Sequence, residues 1–171
     1  MALIEIRELK KYFSTPHGTL HAVDNVNLTI EEGTTLGVVG ESGCGKTTAG
    51  KCILRINHPT SGSIVYKGQD ISNASKSDIK KIRREIKLIF QDPYGSLDPR
   101  QSAGSILKEA IVTGKEHYSS EEVNNRVKEL LETVELLPEM AARYPHEMSG
   151  GQRQRLGIAR ALACNPDLIV C

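Results

Sequence analysis

The chain has 171 residues, 39% hydrophobic and 25% charged, enough for one ordinary core or a core with a small satellite, and too apolar for a disordered segment. Lys and Arg number 22 against 21 for Asp and Glu, a net charge of +1, which excludes a global field drawing the chain onto nucleic acid or an anionic membrane. It shows no run of about 18 apolar residues and no signal-peptide pattern, so a role at a membrane is expected to go through other chains.

In chain order, residues 3–9 and 22–30 carry alternating or clustered apolar positions around the turn-rich stretch 14–18, which predicts two antiparallel strands. Glu32-Gly33 punctuates the chain, and Thr35-Leu36-Gly37-Val38-Val39 then reads as a short strand buried on both faces. A glycine-rich loop and a helix over 46–55 follow. Residues 63–66 predict a strand, 77–84 a short basic helix, and 86–90 another strand; strand, helix and strand in this order imply a parallel sheet with crossover helices. Turn chemistry fills Gln91 to Pro99. From there to about Tyr144 the pattern is helical, with Ile106, Leu107, Ala110 and Ile111 on one face and Val123, Val127, Leu130, Leu131 and Val134 on another. Ser149 is placed to cap a last helix reaching about Ala163, and Asn165-Pro166 ends it before the apolar strand 168–171. Cys44, Cys52, Cys164 and Cys171 form no C-x-x-C pair and read as reduced thiols of a cytosolic chain.

Gly40-Glu41-Ser42-Gly43-Cys44-Gly45-Lys46-Thr47 fits G-x-x-x-x-G-K-[ST] and lies between an expected strand and an expected helix, as phosphate binding requires. The glycines let successive backbone N–H groups turn around phosphate oxygens, where the helix N-terminus adds partial positive charge. Lys46 is expected to reach the β- and γ-phosphates of a nucleoside triphosphate and the Thr47 hydroxyl to ligate Mg²⁺, with Thr48 completing the set. The alternative, a glycine-rich connector without a ligand, does not need the lysine.

Met148-Ser149-Gly150-Gly151-Gln152, followed by Arg153-Gln154-Arg155 and Gly157-Ile158-Ala159-Arg160-Ala161-Leu162, resembles the signature segment of ATP-binding cassette (ABC) proteins. As a lone pattern it would also suit a helix start with a permissive turn. In that family the signature of one subunit completes the ATP site of another, so the resemblance places Ser149, Gly150, Gly151 and Gln152 at the γ-phosphate of a partner's nucleotide. Gln91 stands where the family's Q-loop glutamine is found, which implies contact with Mg²⁺ and γ-phosphate and coupling to a transmembrane partner. Lys11-Tyr12-Phe13 looks like the loop whose aromatic ring stacks on adenine; the family spacing favours Phe13 over Tyr12, while burial at a strand end would also explain an aromatic there. The wording of residues 91–100, of Tyr144-Pro145-His146-Glu147 and of Lys10-Lys11-Tyr12-Phe13 is similar to the oligopeptide and dipeptide importer ATPases, wording that nickel and glutathione importers share.

The resemblance implies an α/β P-loop NTPase fold: an ATP-binding core over 1–91 and 148–171 with an antiparallel β subdomain, and a helical subdomain over 92–147. It implies ATP and Mg²⁺ as cofactors and a second ABC ATPase subunit, identical or related, as a partner. It also implies transmembrane permease subunits, an indirect solute-binding protein, and a peripheral place on the cytoplasmic face of the membrane. A family member carries an aspartate and a glutamate at the end of the strand that 168–171 would form; these carboxylates, the D-loop and the switch histidine are not among the 171 residues, and Asp167 precedes the strand. None of His17, His21, His58, His117 or His146 sits where the switch histidine would. The chain therefore reads as an incomplete cassette that binds nucleotide without turning it over alone. A soluble ABC ATPase of DNA repair or chromosome organisation is the competing reading, against which stands the absence of a long coiled coil or metal-cysteine insert between Thr47 and Met148. The basic run Lys80, Lys81, Arg83, Arg84 and Lys87 reads as a solvated helix face, and no nucleic-acid partner is expected.

Overall fold

Strand β1 (Ala2–Thr15) and strand β2 (Gly18–Glu31) form an antiparallel hairpin in the computed structural model, closed by the two residues Pro16 and His17. The structure describes residues 1–91, 95–114 and 118–171; residues 92–94 of the 91–100 stretch and His117 lie outside that set. Ile4, Ile6 and Leu9 are buried, a spacing of two and then three that a regular strand cannot place on one face. The chain absorbs the extra residue as a bulge: the register shifts between Ile6 and Leu9, Glu8 takes φ 49°, and its N–H donates to Asn27 Oδ1 at 2.8 Å, so the backbone donor is not left unpaired.

Strands β3 (Ser61–Tyr66) and β4 (Gln69–Asp70) complete a four-stranded antiparallel sheet in the order β2-β1-β3-β4. Helix α1 (Lys46–Ile53) packs on β1 and β2 and buries Cys52 and Ile53; each such apolar side chain removed from water contributes about 1.5–3 kcal/mol before entropy. Helix α2 (Lys76–Glu85) buries only Ile82 and leaves Lys80, Lys81 and Arg83 exposed, the solvated face its sequence predicts, whereas Arg84 and Lys87 of the same basic run are half-buried. The chain divides within α2 into two compact units, Met1–Ile82 and Arg83–Cys171.

One expected strand does not form. Residues 35–39 carry no strand hydrogen bonds, and Leu36, Val38 and Val39 are exposed, Val39 at 95%. A strand exists through its ladder, and none of the described strands pairs with this segment, so its apolar run has no face to bury.

In the second unit β5 (Ile86–Leu88) and β6 (Leu168–Val170) pair in parallel, Ile86 opposite Leu168, and the Ile89 N–H extends the ladder to Val170 O at 2.8 Å. Between them lie α3 (Ala103–Gly114), α4 (Ser120–Thr133), two 3-10 turns (Pro138–Ala142 and Pro145–Glu147) and α5 (Gly150–Leu162). Ser119 and Glu122 form a reciprocal capping box at the start of α4, which satisfies two of the orphan donors at a helix N-terminus. The apolar faces expected on α3 and α4 meet α5 in one core, with Leu107, Ile111, Leu131, Leu156 and Ala159 fully buried.

Candidate functional site

The phosphate loop enters α1 through Gly45, the N-cap residue, at φ 96°, after Gly43 at φ 83°. A Cβ on Gly45 would stand 2.0 Å from Ala22 O, so only glycine lets the loop lie against β2 with this backbone. No side chain caps α1 and its first turn holds no acidic residue, which leaves an open helix N-terminus of the kind that attracts anions. Lys46 Nζ donates to Gly40 O and Glu41 O, each at 2.7 Å, and lies 3.5 Å from Cys44 Sγ. Its ammonium thus spans the loop from the helix side, using acceptors that phosphate oxygens can replace. Glu41, Ser42, Gly43, Cys44 and Thr47 are exposed, and Thr48 is half-buried.

The two aromatic candidates lie on opposite faces of β1. Lys11 and Phe13, two apart, share a face, with Lys11 Nζ 4.7 Å from the Phe13 ring centroid. Lys11 is opposite Val23, whose Cγ2 would lie 3.6 Å from a Cβ on Gly45. The Phe13 face is therefore the one turned to the phosphate loop. Tyr12 lies on the other: its ring stacks on His21 at 4.0 Å between centroids, its hydroxyl donates to Asp24 Oδ1 at 2.6 Å, and its backbone N–H donates to Thr60 Oγ1 at 2.9 Å. The hydroxyl bond holds Asp24 below the usual carboxylate range and pushes the Tyr12 phenol up. The residue order does not mark His21, Asp24 and Thr60 as partners of Tyr12, because the pairing of Tyr12 with His21 follows a register shift between Lys11 and Tyr12 that neither strand announces.

The second unit holds the remaining candidates. Gln91 is exposed just beyond β5. Ser149 caps α5 as expected: Gln152 N–H donates to Ser149 Oγ at 3.2 Å and Ser149 N–H donates to Gln152 Oε1 at 2.8 Å. Gly150 and Gly151 are exposed, with nothing within 4 Å of a Cβ added to either. They leave a bare backbone surface at a helix start that carries no acidic residue. Arg153 donates to Pro145 O at 3.1 Å and Arg155 to Val134 O at 3.2 Å, which fixes the segment before α5 and the end of α4 to the helix. Arg160, which the sequence offered only as part of a motif, donates through Nη1 to Ser96 O. Burial lowers its pKa, a shift that the carboxylate of Glu109 opposes.

Among the described residues no group of three or more His, Cys, Asp or Glu side chains could hold a metal ion. A cation here would have to take its ligands from hydroxyl, amide, water and phosphate oxygens, a donor set that suits Mg²⁺, for which Thr47 offers an exposed hydroxyl. No helix among the described residues is long and apolar enough to cross a membrane.

A family model described as ABC transporter matches residues 23–171. Among curated proteins, the oligopeptide transport ATP-binding protein AppF of Bacillus subtilis is 50% identical over 176 residues, covering 98% of this chain and 53% of its own. The oligopeptide transport ATP-binding protein OppF of Escherichia coli is 46% identical, covering 98% of this chain and 50% of its own. The chain spans about half the length of the curated relatives it matches. Among solved structures, the dimeric post-hydrolysis state of the ATP-binding cassette MJ0796 bound to ADP and Pi superposes with a TM-score of 0.89 at 33% identity, covering 97% of this chain and 72% of that one.

Proposed function

This chain belongs to the ABC transporter family, and on that premise we propose that it is the nucleotide-binding part of an importer ATPase that couples ATP binding and hydrolysis to uptake of oligopeptides or dipeptides. The observation that carries the reading is the pairing of two backbone anion sites in one chain. One is the uncapped, lysine-spanned loop at α1; the other is the glycine-bearing start of α5. The names of the similar proteins support peptides as the solute class.

In this proposal the backbone N–H groups of residues 43–48 and Lys46 bind the phosphates, Phe13 stacks on the base, and Thr47 and Gln91 hold Mg²⁺. Bound Mg²⁺ would neutralise charge on the β- and γ-phosphate oxygens. Ser149, Gly150, Gly151 and Gln152 bind the γ-phosphate held by a second ATPase subunit, identical or related. Transmembrane subunits dock on the assembly at the cytoplasmic face of the membrane, and the division into an ATP-binding core over 1–91 and 148–171 and a helical subdomain over 92–147 belongs to the same proposal. Phosphoryl transfer to water needs a group that positions the water.

The test is ATP binding and hydrolysis by the full-length protein assembled with its transmembrane subunits. Lys46→Ala is expected to weaken ATP binding about 100-fold and to abolish peptide uptake. Retention of ATP-driven peptide uptake by Lys46→Ala would overturn the reading.

A further inference from the structure

We propose that Leu20 is a second contact for the nucleobase, set beside Phe13 by a β-bulge at Ala22, so that the base lies on a two-residue apolar platform. The inference rests on the functional reading above for the ligand, a nucleoside triphosphate, and adds a residue of β2 to its site. Lys11 is opposite Val23 and Tyr12 is opposite His21. One step on β1 thus answers two on β2, and Ala22 is the extra residue. In a regular strand Val23 and His21 would share a face. With the extra residue, His21 goes to the far face, where its ring stacks on Tyr12 at 4.0 Å. Leu20, opposite Phe13, then joins Val23 on the face turned to the phosphate loop.

The bulge is seated against the loop itself. Ala22 O is the atom that a Cβ on Gly45 would meet at 2.0 Å, with Val23 Cγ2 at 3.6 Å, so the N-cap of α1 and the slip in register are fitted to each other. Lys11 shares the Phe13 face and its ammonium is drawn to that ring; the ring's apolar neighbour across the ladder is Leu20. Directly opposite residues hold their Cβ atoms about 5 Å apart, near enough for one flat ligand to touch both. A lone exposed leucine needs no explanation. Leu20, at 56% exposure, has one in its place, because an apolar side chain beside a base-stacking ring gains burial when a base arrives. Neither side chain carries a hydrogen-bond donor or acceptor, so the platform reads the presence of a base and not its identity.

The experiment measures Kd for ATP, GTP and inorganic tripolyphosphate by titration calorimetry of the full-length protein. Leu20→Thr shortens the side chain and makes it polar while keeping a residue that favours strands. It is expected to weaken ATP and GTP alike, about fivefold, and to leave tripolyphosphate within about twofold. Leu20→Met keeps the apolar contact and is expected to stay within about twofold of the unsubstituted protein for all three ligands. Phe13→Ala is expected to weaken ATP about 30-fold, again with tripolyphosphate spared. Unchanged ATP affinity in Leu20→Thr beside a loss in Phe13→Ala would overturn the platform and leave the functional reading standing. An equal loss for tripolyphosphate in Leu20→Thr would also overturn it, because that side chain would then act on the loop and not on the base. If neither ATP nor tripolyphosphate binds the unsubstituted protein, the functional reading itself fails, and the platform fails with it.

Discussion

The phosphate loop and the signature segment are both glycine-bearing helix starts, yet they manage their backbone donors in opposite ways. At α1 the N-cap is a glycine in the left-handed region and nothing caps the helix; the loop's shape is held from inside by Lys46 on two of its own carbonyls. At α5 a serine in extended conformation and Gln152 exchange two hydrogen bonds, so two donors of that helix start are paired without a ligand while Gly150 and Gly151 stay bare. In the proposed function, the difference teaches which site is shaped by its own lysine and left uncapped for an anion, and which is already ordered by its cap before it meets one. An open cradle gains most from binding phosphate, whereas a capped helix start can meet a phosphate held by another subunit without first being ordered.

Substitutions separate the two. Gly45→Ala is expected to have the largest effect, because its Cβ would fall 2.0 Å from Ala22 O at a φ of 96°. It should cost about 3 kcal/mol or more and remove ATP binding, read by chemical denaturation and titration calorimetry of the full-length protein. The loss of affinity in Lys46→Ala comes next and should leave the fold intact, since among the described residues that ammonium's partners lie within its own loop. Ser149→Ala removes one half of the capping box and should cost about 1 kcal/mol, while ATP binding by the isolated subunit stays unchanged and hydrolysis by the assembled dimer falls. If Ser149→Ala weakens ATP binding by the isolated subunit as strongly as Lys46→Ala, the two sites are not separate.

The smallest effect is at Tyr12. Its hydroxyl is the main cause of the low Asp24 pKa. A carboxyl depressed in the folded state contributes stability that is present above its unfolded pKa and is lost as pH falls through its folded pKa. Tyr12→Phe should therefore raise the Asp24 pKa toward the ordinary carboxylate value, read by NMR titration. The stability difference from the native chain should be present at neutral pH and vanish in acid. Affinity for ATP should not change, because Tyr12 lies on the strand face away from the phosphate loop.

Much of this was legible from residue order. Helix α5 starts where Ser149 predicts, α3 and α4 bury the faces their periodicity marks, and the basic face of α2 is solvated. These are local matters: a cap, a stripe or a turn is decided by residues within a few positions of one another, and the side chains that make it are adjacent in the text. Residues 35–39 show the opposite case. Their apolar run matches a buried strand, but a strand is made by its neighbours, and none of the described strands pairs with it.

What the sequence determined by itself is the shape of the two glycine-bearing helix starts, because both rest on backbone conformations that Gly43, Gly45 and Ser149 impose locally. Only tertiary structure decided which of Tyr12 and Phe13 faces the loop, and that Arg160 reaches Ser96. The first turns on a register shift between Lys11 and Tyr12, the second on a contact spanning 64 residues. Pairing across such separations is set by how whole elements pack, and no short window of residues carries that information.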